Sequence, residues 1–187
     1  FLCTLPIHYR YDGDEAGLPL AGHEWEAQGT VAPAPCIAEL REHLRVGDLA
    51  AAERRVPTCD HIETVRMLGQ IRYRQRRFDE AKALFARYLE AVPRNRCRPS
   101  FNEVIRSVAA ANDMVTLVDL EAVIAATDPQ GMPGSSAFTD YCHLNWRAQA
   151  QVARALADAF VASPNAPKAL AVPELDVDAT IRAAGGA

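Results

Sequence analysis

Asp140 and His143 are the residues of this chain best suited to chemistry. They stand three apart in Phe138-Thr-Asp-Tyr-Cys-His-Leu-Asn-Trp146, just ahead of an amphipathic run. An imidazole can act as a general base near neutral pH. A carboxylate on its other ring nitrogen fixes the tautomer and stabilises the imidazolium. An Asp-x-x-His turn entering a helix can supply both groups from one short, rigid piece. Behind the turn, Ala148, Val152, Leu156 and Phe160 recur at four-residue spacing, a stripe expected to anchor the turn to a core. A bare Asp-x-x-His match arises readily by chance, so its meaning rests on the surrounding chain.

Other polar residues compete for a role. Cys142 lies inside the turn and reads either as a nucleophile or, preferred here, as a small buried filler. His8 and Arg10 follow the strand-like run Phe1-Leu-Cys-Thr-Leu5. A strand that ends in a polar, aromatic loop is where α/β proteins build sites, so both are substrate-binding candidates; the alternative is that they are ordinary loop residues.

Positioning these groups falls to a mixed set of elements. Residues 1–5 read as a buried strand ended by Pro6, and a Gly- and Pro-rich loop runs on to Pro35. Residues 36–57 read as helical, broken by a turn at Gly47-Asp48-Leu49. Ser100 with Glu103 reads as a capping box opening a helix over about 100–111, its buried face formed by Phe101, Val104, Ile105 and Val108. Val115-Thr-Leu-Val118 reads as a short buried strand, Asp119 follows, and Leu120 to Ala126 read as another helix. The loop Asp128 to Ser136 delivers the chain to Asp140. Beyond Ser163, Pro, Ala and Gly suggest a loosely packed or disordered tail.

Composition bounds the function. A chain of 187 residues with 49% hydrophobic content can bury a real core in one domain or two small ones. The net charge of −4 offers no electrostatic footprint for nucleic acid, and the arginines at 72–77 read as a solvated face beside Asp79 and Glu80. The five cysteines are widely spaced with no Cys-x-x-Cys pair, so no zinc site, metal or disulfide framework is expected. Reduced thiols and a cytoplasmic location fit best, and no run is long enough to span a membrane. The chain opens on an apolar run without Met, so further residues upstream or on another chain are expected.

Two resemblances organise these readings. Leu68-Gly69, Ala81, Phe85 and Pro93 resemble the tetratricopeptide repeat pattern over about 62–95, with Val65 and Arg72 departing from the usual Trp and Tyr. Gly47-x-Leu49-x-x-Ala52 resembles a degenerate repeat. One good repeat and one poor one cannot bury their own faces, so these helices are expected either to lean on the rest of the chain or to continue an array lying elsewhere. They would serve as a structural hairpin, a peptide-binding groove or a cap over a site.

The order of helix, Val-Asp-Leu strand, helix, Gly-containing loop, then Phe-x-Asp-x-x-His-Leu-Asn and an Ala-rich helix resembles the C-terminal part of an SGNH (GDSL-like) hydrolase. It is similar in particular to bacterial members carrying tetratricopeptide repeats. Thr4-Leu5-Pro6 and Asn102-x-x-x-Arg106 share in the likeness. The resemblance implies a helix-rich α/β fold, a partial three-layer SGNH-like arrangement with few parallel strands. Residues 1–35 and 98–160 would form it, 36–97 would be an inserted helical hairpin, and 161–187 a tail. It also implies that Asp140 and His143 complete a Ser-His-Asp triad acting, without a cofactor, on a small or carrier-bound ester. The family's Gly-Asp-Ser block and its oxyanion-hole Gly and Asn have no counterpart here, and Ser100, Ser107, Ser135, Ser136 and Ser163 lie in other contexts. The nucleophile is therefore expected upstream or on another chain. The alternative is a non-catalytic helical-repeat module that binds a protein partner.

Overall fold

The computed structural model describes residues 1–10, 35–92, 97–140 and 142–164. The expected loop over 11–34, Pro93 of the repeat pattern and the tail from residue 165 lie outside the described residues. In order, the elements are β1 (Leu2–Cys3), α1 (Pro35–Val46), α2 (Leu49–Arg55), a 3-10 turn (Val56–Thr58), α3 (Glu63–Arg74), α4 (Phe78–Ala91), α5 (Pro99–Ala110), β2 (Leu117–Val118), α6 (Leu120–Ala125) and α7 (Trp146–Ala162). The chain is thus helix-rich, with two parallel strands paired Leu2 to Leu117 and Cys3 to Val118. Helices α1 to α5 form the crossover that a parallel pair requires.

The helical insertion forms two hairpins. Gly47, at φ +78, ends α1 in the left-handed conformation that costs glycine nothing, and the Asp48 carboxylate then accepts from Ala51 N–H at 2.9 Å to cap α2. Ile37, Leu40 and Leu44 of α1 pack on Ala52, Met67 and Ile71. In the second hairpin, Gly69 of α3 faces Phe85 of α4. A Cβ on residue 69 would lie 2.7 Å from the Phe85 ring, so the Leu-Gly and Ala-x-x-x-Phe parts of the repeat pattern are two halves of one helix contact. As expected, this hairpin leans on the rest of the chain: Ala81, Phe85 and Leu89 pack on Ile7, Tyr9 and Met132.

Several expectations are corrected. Cys36 and Cys59 are joined in a disulfide, with Cα atoms 5.6 Å apart, so the reduced-thiol reading fails for this pair. Their spacing of 23 residues carries no signature in sequence; Cys36 opens α1 and Cys59 ends the 3-10 turn, and both pack in the core that α1 shares with Ala52, Met67 and Ile71. The first strand is not buried throughout, because Phe1 is 56% and Leu5 50% exposed. Helix α5 begins with Pro99 at its first turn and Arg98 at the cap. Ser100 instead gives its N–H and hydroxyl to Glu90, at 2.5 and 2.8 Å. Proline at that position has a preset φ and no N–H to leave unsatisfied, so it displaces Ser100 from the cap. The expected buried face of α5 mostly turns outward: Phe101, Val104 and Val108 are exposed and Ile105 is half-buried, whereas Asn102 is fully buried.

That inversion is explained by a polar network beneath the sheet. Asn102 accepts from Leu5 N–H (2.8 Å) and donates to Leu5 O (2.7 Å) and Glu121 (2.8 Å). Arg106, one turn on, binds both Asp119 oxygens at 2.9 Å and Glu121 at 2.8 Å. Thr4 donates its hydroxyl to Asp119 at 2.7 Å, and Tyr9 donates to Glu121 at 3.0 Å. Burial, followed by the charge of Glu121 and the bond to it, drives the Tyr9 phenol pKa further above its ordinary value. Buried polar groups require partners, and here their pairing outweighs the apolar stripe in orienting α5.

Candidate functional site

The turn carrying Asp140 and His143 is closed by its own backbone. Phe138 and Leu144 form an antiparallel bridge, Thr139 N–H donates to His143 O at 2.8 Å, and Asn145 N–H donates to Ala137 O at 2.9 Å. Phe138 and Ala137 sit in a core with Ile124 and Ala148. Asn145 then caps α7 by accepting from Ala148 N–H at 3.0 Å, and its amide donates to Ser136 O at 2.8 Å. The turn is therefore bounded by a core on one side and a capped helix on the other. Of the expected stripe on α7, Ala148 is buried and Val152 packs on the same core, while Leu156 and Phe160 are exposed.

Within the turn, the two Asp140 oxygens have separate tasks. Oδ1 accepts from Cys142 N–H (2.9 Å) and His143 N–H (2.8 Å), which fixes the carboxylate against its own backbone. Oδ2 lies 2.6 Å from His143 Nδ1. Burial opposes ionisation of Asp140, but the Cys142 and His143 N–H groups, followed by the His143 side chain and its charge, hold the carboxyl down at about 2. An ionised carboxylate only accepts, so the hydrogen-bond network assigns the proton to Nδ1. In the neutral ring Nε2 is then the basic nitrogen. His143 is 71% and Asp140 40% exposed by side chain, so the base sits at the surface where a reactant can reach it.

Cys142 is exposed and not a buried filler as expected. Its Sγ lies 3.6 Å from His143 Nδ1, on the same nitrogen that Asp140 engages. In a relay the carboxylate and the nucleophile occupy opposite ring nitrogens. Cys142 therefore stands on the wrong side to be activated by this pair. Asp140, Cys142 and His143 offer ligand atoms within 4.8 Å of one another, a span a transition metal could bridge. Metal binding at Nδ1 would displace its proton and break the Asp140 bond, so the two uses exclude each other.

The structure brings His8 to this turn. Its ring is buried, Nδ1 lies 2.7 Å from Asp140 O, and the ring stacks on Phe138 at 4.4 Å with planes 6° apart. Arg10 goes elsewhere: Nε donates to Met132 O at 2.6 Å and Nη2 to Asp128 at 2.9 Å, with the guanidinium 4.9 Å from the Tyr73 ring centre. It braces the loop that leads to the turn. The described partners of both side chains belong to the protein itself, and neither residue is carried into the substrate-binding reading below. Ser100 and Ser107 give their hydroxyls to Glu90 and to Glu103 O, at 2.8 Å each. A cavity of about 330 Å³ is lined by His43, Ala51, Arg54, Arg55 and Thr58 of the first hairpin, and contains no residue of the 138–143 turn.

Sequence reasoning missed Phe138 as a ring support, Asn145 as the cap and the Arg106 network. Asn145 was findable, since Asn directly before an amphipathic run is a helix-start signal. Comparison with known protein families, curated proteins and solved structures finds no match for this chain. No described helix is long and apolar enough to cross a membrane.

Proposed function

We propose that this chain is the C-terminal, His/Asp-bearing portion of an SGNH-type serine esterase or acyltransferase, with the nucleophilic serine supplied from upstream or by another chain. The observation that carries the reading is the pairing of Asp140 Oδ2 with His143 Nδ1 at 2.6 Å, on a carboxylate already fixed by two backbone N–H groups. That arrangement leaves Nε2 as the base. In the proposed reaction a serine hydroxyl attacks the ester carbonyl while His143 Nε2 takes its proton. The tetrahedral adduct collapses to an acyl-enzyme as His143 returns that proton to the leaving alcohol. Water or an acceptor hydroxyl then resolves the acyl-enzyme by the same route. Asp140 keeps its negative charge throughout and stabilises the imidazolium. The substrate class is a small or carrier-bound ester, such as an acetylated sugar or an acyl carrier, by analogy with the fold.

The Cys36–Cys59 disulfide favours an oxidising compartment over the expected cytoplasm. A second reading, a helical-repeat module that binds a protein partner, draws support from the two packed hairpins and from the exposed apolar residues of α5.

The test is fluorophosphonate labelling of the natural product together with whatever co-purifies, followed by peptide mapping and ester turnover. A labelled serine whose reactivity disappears in His143→Ala supports the hydrolase. Absence of any labelled serine, with turnover unchanged by His143→Ala, refutes it and leaves the interaction module.

A further inference from the structure

We infer that His8 is a positioning residue for the Asp140–His143 pair, holding the Asp140 backbone so that its carboxylate meets His143 Nδ1. The inference rests on the dyad reading, but it is argued from burial and two separate contacts. His8 is 4% exposed, so substrate does not reach it. Its Nδ1 lies 2.7 Å from the Asp140 carbonyl oxygen, which only accepts, so His8 Nδ1 carries a proton and donates. Its ring lies flat on Phe138, at 4.4 Å and 6°. Two points two residues apart, a side chain at 138 and a carbonyl at 140, are thus fixed by one rigid ring.

Among the described residues, the other hydrogen bonds that shape the turn run within residues 134–148. They close the turn on itself, while Ala137 and Phe138 seat its first side against Ile124 and Ala148. The His8 bond instead spans 132 residues and ties the turn to the segment that follows β1. That segment is itself anchored, with Ile7 and Tyr9 in the core formed with α4. A dyad that is 71% and 40% exposed has little packing of its own to hold it. A bond to the backbone of its acid supplies what packing does not. Positional tolerance at such sites is a fraction of an ångström, so a support of this kind carries functional weight.

Two substitutions separate the contacts. His8→Phe keeps a ring to stack on Phe138 and removes the donor. His8→Asn loses the ring and keeps an N–H near the position of Nδ1. The readout is the tautomer of His143, read from imidazole nitrogen shifts in the full, uniformly labelled chain. In His8→Phe, the ratio of Nδ1–H to Nε2–H tautomer at His143 is expected to fall at least threefold. In His8→Asn that ratio is expected to recover at least half of the loss. Asp140 should in parallel titrate closer to an ordinary carboxylate in His8→Phe only. A merely structural His8 would lower the melting temperature in both variants and leave the His143 tautomer unchanged, which would overturn the inference. So would an equal loss in both variants. These measurements need no nucleophile. Failure of the hydrolase reading, seen as no labelled serine, is therefore distinguishable from failure of this one.

Discussion

Replacing Asp119 by Asn isolates the charge at the centre of the polar network. Asn is as good a helix cap as Asp, and its carbonyl can still accept from Thr4 and from Ala122 N–H, which lie 2.7 and 3.2 Å from Oδ1. What is lost is the ionic, two-point pairing with Arg106 at 2.9 Å. That hydrogen bond is the largest influence on Asp119. Together with the Thr4 and Ala122 bonds and against burial, it lowers the pKa from 3.8 to about 2. At about 1.36 kcal/mol per tenfold change in proton affinity, that lowering corresponds to roughly 2 kcal/mol. Asp119 is 31% and Arg106 28% exposed by side chain, so screening reduces the expected value to about 1–2 kcal/mol. The sign follows from the direction of the shift. A depressed carboxyl contributes stability that is fully present above the unfolded value of 3.8 and lost as pH falls through about 2. Urea unfolding followed by far-UV circular dichroism should show Asp119→Asn less stable than the parent by this amount at neutral pH. The gap should close over the acid window. Asp140 titrates in the same window in both proteins and cancels in the difference. A gap that stays constant from neutral pH to about pH 2 would show that Asp119 contributes through its cap or its shape alone, and would refute the linkage.

Two other outcomes follow from packing and covalent structure. Gly69→Ala should destabilise the chain by about 1–2 kcal/mol, because the new Cβ meets the packed Phe85 ring at 2.7 Å. Adding Phe85→Leu should relieve part of that cost in a double-mutant cycle, whereas a gain of about 1 kcal/mol from Gly69→Ala would mean that helix propensity dominates and the contact is loose. For the disulfide, denaturing thiol titration without reductant should find three free cysteines, Cys3, Cys97 and Cys142. Reduction of Cys36–Cys59, which closes a loop of 23 residues, should cost about 3 kcal/mol in urea unfolding. Five reactive thiols, or no loss on reduction, would remove the staple.

What the sequence made legible was local or periodic. The α1–α2 turn at Gly47-Asp48 and the Asn102-x-x-x-Arg106 spacing were visible because backbone conformation and helix pitch are short-range. So was the Asp140–His143 pair, since both groups lie on one turn. What was not legible involved partners far apart in the chain: His8 on Asp140, Cys36 on Cys59, Ser100 on Glu90. The apolar residues of α5 do share one face of the helix, but Phe101, Val104 and Val108 on that face are exposed. Periodicity reports that a face is apolar; which face turns inward follows from Asn102 and Arg106, whose bonds to Leu5 just past β1 and to Glu121 of α6 draw that side of the helix inward.

The exposed apolar residues also constrain the hydrolase reading. Leu2 and Thr4 give their N–H groups to the β2 strand region, at 3.0 and 3.2 Å, so by strand alternation Cys3 presents its N–H and carbonyl to the opposite edge. On the helices flanking the sheet, Phe101, Val104 and Val108 of α5 and Leu156 and Phe160 of α7 are exposed. Phe160 stands 6.4 Å from the Phe1 ring, at the sheet's end. Parallel sheets are characteristically covered on both faces, and an open apolar edge invites pairing. A further parallel strand beside β1 would satisfy the edge and lie between the two helices. On the proposed reading, a strand added at that edge would lie on the same side of the sheet as the exposed faces of α5 and α7. The interaction-module reading accounts for the apolar face of α5 but gives no reason for a carboxylate fixed by two backbone N–H groups and aimed at His143 Nδ1.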